Sequence, residues 1–147
     1  MKNIVIISES NNLLELIYDC LHEEYKIYKF MSLREAFRLI ENHHSLIDLI
    51  LLDYKNEERY LNFIGNIRKN KYYALIKLIC LIDEKDLIDL YERYTVNYLY
   101  KPILSETFLP KINDLLRTSE KRTHKQEEVN FKNLDKLIIN CVECQNK

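Results

Sequence analysis

The sequence predicts an α/β domain whose core is a parallel β-sheet with helices on both faces. Five short apolar runs alternate with five helix-patterned segments over residues 2–117, the order that right-handed strand–helix–strand crossovers produce. The first, third and fourth runs are apolar at nearly successive positions, as strands buried on both faces require. The run Ile47-Asp48-Leu49-Ile50-Leu51-Leu52 ends on Asp53, at the carboxyl edge where open α/β sheets place their chemistry.

The first strand is Asn3–Ile7. Ser8, Ser10, Asn11 and Asn12 supply loop and cap chemistry before Leu13, Leu14, Leu16, Ile17, Cys20 and Leu21 recur at helical spacing to about His22. Tyr25–Phe30 alternates rather than being wholly apolar, which suits an edge strand. Ser32 and Glu35 form a capping box for a helix that buries Leu33, Ala36, Phe37, Leu39 and Ile40. His43 and His44 close it, as a solvated helix end rather than a metal pair. Leu46–Leu52 is the third strand, and a helix follows through Leu61, Ile64 and Ile67 to about Lys69. Ile76–Ile82 is the fourth strand, Asp86–Tyr94 a short helix and Asn97–Tyr100 the fifth strand. Ser105–Arg117 is the last helix. Pro110 inside it predicts a start near Lys111 or a kinked first turn, since an interior proline costs about 3 kcal/mol.

At 147 residues, 47% of them apolar, the chain can bury one domain's core. Twenty-two Lys and Arg nearly balance 23 Asp and Glu, so no chain-wide field favours nucleic acid or an anionic membrane. No run has the length of a membrane span and the start lacks a signal-peptide layout, which predicts a cytoplasmic protein. Cys20 and Cys80 fit reduced core positions, and Cys141 and Cys144 lack the second ligand pair that zinc needs. Gly65 is the only glycine, which excludes glycine-rich phosphate loops and dinucleotide fingerprints.

Three polar residues follow apolar strands and should reach one edge: Glu9, Asp53 and Lys101. Two acids and a lysine there could hold a divalent cation and take up a phosphoryl group; they could equally form a solvated rim.

With this layout, residues 2–117 resemble a response-regulator receiver domain of the CheY type, the phospho-accepting half of two-component systems. The resemblance rests on Leu51-Leu52-Asp53, the Lys101-Pro102 pair, the helix Phe108–Arg117 and the 44 positions from Glu9 to Asp53. It implies a flavodoxin-like, doubly wound five-stranded parallel sheet of order 2-1-3-4-5 with five helices. Asp53 would be the phosphoacceptor, Lys101 would pair with the phosphate, and the Lys101-Pro102 bond would be cis. Glu9 and Asp53 would hold Mg²⁺, but weakly, because Ser8 stands where the second acid belongs and adds no charge.

The resemblance also exposes departures at the switch. Ile82 occupies the place of the hydroxyl residue ending the fourth strand, while Tyr98 keeps the aromatic of the fifth. The loop Tyr54–Tyr60 lacks the usual proline and glycine, with Tyr60 at the glycine position, and the stretch from Ile82 to Lys101 is short. The expected function is therefore an atypical receiver, poorly phosphorylated, working through protein–protein contacts in a fixed conformation. The implied partners are a sensor histidine kinase or another signalling protein. A second copy, joined through the fourth helix, fifth strand and fifth helix, is a further possibility, with Tyr91, Tyr94 and Tyr100 as its exposed aromatics.

Residues 1–118 form the receiver-like domain and 119–128 a polar linker. Residues 129–147 form a stub similar to the opening strands of the winged-helix domain of OmpR/PhoB-like regulators, through Val129–Leu134 and Leu137–Val142. The alternative function is thus a phosphorylation-controlled transcriptional regulator whose DNA-binding part is missing, so that this chain alone binds no nucleic acid. An enzymatic reading, a Mg²⁺-dependent phosphatase using Asp83 or Glu84 as a second acid, lacks a substrate-binding loop, and no enzyme activity is expected.

Overall fold

The computed structural model describes residues 1–122, with side chains through Arg117. The predicted linker from residue 123 onward and the stub 129–147 lie outside the described residues.

The strands are β1 (Asn3–Ile7), β2 (Lys26–Phe30), β3 (Leu49–Asp53), β4 (Lys77–Ile82) and β5 (Asn97–Tyr100). All pair in parallel in the order β2-β1-β3-β4-β5. The helices are α1 (Asn11–Leu21), α2 (Leu33–His43), α3 (Glu58–Lys69), α4 (Leu87–Arg93) and α5 (Ser105–Arg122). This is the flavodoxin-like layout expected.

Strand alternation sorts the core into two layers. Ile4, Ile6, Leu49, Leu51, Ile79 and Leu81 pack with Leu14, Ile17, Phe108 and Ile112 of α1 and α5. Val5, Ile7, Ile50, Leu52, Leu78, Cys80 and Ile82 face α2, α3 and α4. Each fully buried aliphatic side chain contributes about 1.5–3 kcal/mol, so the central strands fix the register. Complete burial pushes the Cys80 thiol up to about 12, the state of an unreactive core cysteine.

Capping follows the sequence. Ser10 Oγ accepts from the Leu13 N–H at 3.2 Å, and Ser32 Oγ from the Glu35 N–H at 3.2 Å. The edge strand β2 carries Lys26 and Lys29; Lys29 pairs with Glu15 at 2.8 Å, and such charges discourage edge-to-edge pairing. His44 packs against Tyr72 and Tyr73, with ring centroids 5.8 and 5.4 Å away.

Three details differ from expectation. β3 begins at Leu49 because His44–Leu46 forms a 3₁₀ turn. α5 starts at Ser105 and runs through Pro110 to Arg122. Pro110 is exposed, so the helix tolerates the missing N–H where water can reach the backbone. The predicted linker accordingly begins as helix. Among the described residues, no helix is long and apolar enough to cross a membrane.

Gly65 has a packing reason. A Cβ there would lie 2.3 Å from Tyr94 Oη, so the bare backbone of α3 receives the tyrosine that follows α4.

Candidate functional site

Asp53 closes β3 and is 6% exposed. A buried carboxylate must be paired and hydrogen-bonded to be tolerated, and both of its oxygens are. Ser8 Oγ donates to Oδ2 at 2.7 Å, and Lys101 Nζ donates to Oδ1 at 2.7 Å.

The parallel sheet brings these groups together. Ser8 directly follows β1, where its N–H extends the ladder to the Phe30 carbonyl at 3.0 Å. Its side-chain oxygen accepts from the Ser10 N–H at 3.0 Å while its proton goes to Asp53. The hydroxyl thereby ties the start of α1 to the acid. Lys101 directly follows β5, its N–H bonded to the Ile82 carbonyl at 2.9 Å. The Lys101-Pro102 peptide is cis, as the resemblance implied.

Glu9 reaches the same edge, but its partners are cations of the β3–α3 segment. Oε1 accepts from Lys55 Nζ and Oε2 from the Arg59 guanidinium, each at 2.7 Å. The Lys55 ammonium, then Arg59, hold its carboxyl below the usual carboxylate range. Arg59 is fixed further by Glu57 at 2.8 Å and by the Tyr60 ring at 5.0 Å. Sequence reasoning missed Lys55 and Arg59. Their signal was two basic residues within six positions of Asp53 in a segment read only for its lack of proline and glycine.

Tyr54 and Tyr60 fill the volume behind this segment. Both are 1% exposed, and their rings meet edge to face at 6.2 Å. Desolvation pushes the Tyr54 phenol up to about 12.

At the end of β4, Ile82 is fully buried in the apolar layer and presents no hydroxyl. Tyr98 is half-buried against the same layer, its ring 6.0 Å from Tyr91 and 5.3 Å from Tyr100. The Tyr91 hydroxyl donates to the Val96 carbonyl at 3.1 Å. Of the three tyrosines expected at the surface, only Tyr100 is exposed; Tyr91 and Tyr94 pack against the core, Tyr91 on Tyr98 and the Val96 carbonyl and Tyr94 on the bare backbone of Gly65 in α3. Ile88 and Leu104 supply the other exposed apolar side chains around this face. Asp83 and Glu84 are exposed in the turn after β4.

The residues expected to hold Mg²⁺ do not fit it as they stand. Asp53 and Glu9 offer four oxygens, each already bound to Ser8, Lys101, Lys55 or Arg59. Among the described residues no three His, Cys, Asp or Glu side chains group to hold a metal, whereas Mg²⁺ sites are octahedral oxygen sets.

The sequence matches no protein-family model and no curated protein. Its structure is similar to solved receiver domains. A response regulator receiver domain protein from Clostridium thermocellum aligns over 82% of this chain and 98% of its own, with a TM-score of 0.68 and 20% identity. A response regulator receiver modulated diguanylate cyclase from Pelobacter carbinolicus aligns over 82% and 97%, with a TM-score of 0.64 and 26% identity. The chemotaxis protein CheY4 of Vibrio cholerae aligns over 78% and 98%, with a TM-score of 0.65 and 17% identity. The fold is that of CheY-like receiver domains.

Proposed function

We propose that this chain is a receiver-type signalling module of a two-component system that takes up little phosphate at Asp53 and works from a fixed conformation. The observation that carries this reading is Ile82. A receiver that couples phosphate to its surface needs a hydrogen-bond donor at the end of β4, and an apolar side chain locked into the core supplies none. Tyr98 is correspondingly held between Tyr91 and Tyr100. The output is then a standing surface on α4, β5 and α5, recognised by a signalling protein through Ile88, Tyr100 and Leu104.

A second reading, a regulator still controlled by aspartyl phosphorylation, draws support from the Lys101–Asp53 pair, which places a cation beside the acceptor carboxylate. Phosphate uptake separates the two. Incubation with acetyl phosphate and Mg²⁺, followed by intact mass measurement, is expected to leave the chain largely unmodified. Rapid stoichiometric gain of one phosphate, abolished by Asp53→Asn, would establish the second reading instead.

A further inference from the structure

We propose that Lys55 and Arg59 take the place of a divalent cation in this crevice, as a built-in pair of counter-charges that neutralises Glu9 and keeps metal out. This rests on the reading of the crevice as a receiver-type site.

The geometry is specific. The two oxygens of Glu9 are divided between the two cations, both at 2.7 Å, across 46 and 50 residues of sequence. Arg59 is not a loose surface arginine: Glu57 takes its Nε at 2.8 Å and the Tyr60 ring lies beneath it. That ring is buried, so the guanidinium stands on a rigid base. A planar guanidinium already held by Glu57 and stacked on Tyr60 loses little further freedom in holding Glu9.

Charge then decides the outcome. Asp53, Glu9 and Glu57 face Lys101, Lys55 and Arg59, so the charges cancel before any ion enters. A divalent ion reaching Glu9 and Asp53 would have to displace Lys55 and Arg59 and then sit beside them. Like charges at such separations repel even in water. Ser8, neutral and already donating to Asp53, adds nothing to draw the ion in. The same contacts tie the segment after β1 to the segment after β3, so the rim is closed by side chains rather than by metal.

The test titrates the intact chain with Mn²⁺, a spectroscopic stand-in for Mg²⁺, and follows the loss of the free-ion signal by electron paramagnetic resonance. The unaltered chain is expected to bind only in the high millimolar range, if at all. The double variant Lys55→Gln/Arg59→Gln should bind roughly tenfold tighter or more, since two adjacent like charges are removed. Adding Glu9→Gln should abolish that gain. Lys55 and Arg59 are each more than 40% exposed, so the variants should fold, and a cooperative thermal transition checks it. Should Arg59→Gln loosen the Tyr60 packing, Lys55→Gln alone must still show a smaller gain. A double variant no better than the unaltered chain, or submillimolar binding by the unaltered chain, would overturn the inference. Either result would leave the fixed-conformation reading standing, because that reading turns on phosphate uptake.

Discussion

Lys101 Nζ lies 2.7 Å from Asp53 Oδ1, joining the ends of β5 and β3 across the intervening β4. The side chains are 24% and 7% exposed, so the pair sits mostly out of water. Removing one partner from such a pair costs more than the pair itself contributes, because the other charge remains buried. Lys101→Ala should therefore destabilise the domain by about 2–3 kcal/mol. Asp53→Asn should cost less, since the amide still accepts from Ser8. Urea unfolding of the two variants measures the order.

The Tyr54–Tyr60 segment carries a packing load unusual for a functional loop. Tyr60→Ala removes a buried ring that meets Tyr54 and supports Arg59. The expected loss is about 3–5 kcal/mol, the range for emptying an aromatic core site. Differential scanning calorimetry reads it as a lowered Tm.

Gly65 and Tyr94 should be energetically coupled. Gly65→Ala gains up to about 1 kcal/mol of helix propensity but drives a Cβ against Tyr94 Oη. With Tyr94→Phe the nearest remaining ring atom would be Cζ, at 3.1 Å, a contact that a small shift relieves. The double-mutant cycle should show Gly65→Ala to be better tolerated in the Tyr94→Phe background. Additive effects would mean that the tyrosine does not fill that space.

The Glu9 clamp sets an acid limit. Its folded-state carboxyl titrates below the ordinary value of 4.5, owing first to Lys55 and then to Arg59. A lowered folded value means that the clamp's contribution is complete above about pH 4.5 and is lost as pH falls through the folded value. Glu9→Gln should abolish that part of the acid dependence while leaving the neutral-pH profile flat. Carboxyl chemical shifts followed by NMR across this range give the direct check.

Much of this was legible from residues alone. The alternation of five strands with five helices follows from apolar periodicity, a signal that repeats along the chain. The capping serines follow from hydroxyl residues placed just before helical patterns. The start of β3 did not follow, because Leu46 is apolar yet lies in a 3₁₀ turn. Asp53 and Lys101 could be placed because each ends an apolar run, and a parallel sheet leaves such residues on one edge. The resemblance supplied the strand order. What escaped was decided by side-chain reach. Glu9 stands at the right edge, but two long cations 46 and 50 residues away chose its direction. The inward packing of Tyr91 and Tyr94 depends on the Tyr98 ring of β5 and on a bare glycine backbone in α3. No local pattern encodes either.

The central claim is that the crevice and the β4–β5 surface hold one conformation. Amide NMR spectra with and without Mg²⁺ and beryllofluoride, a tetrahedral mimic of an aspartyl phosphoryl group, test it most directly. The account predicts spectra that superimpose at Ser8, Ile82, Tyr98 and Lys101. A set of shifts spreading from Asp53 through Ile82 to Tyr98 and α4 would contradict it.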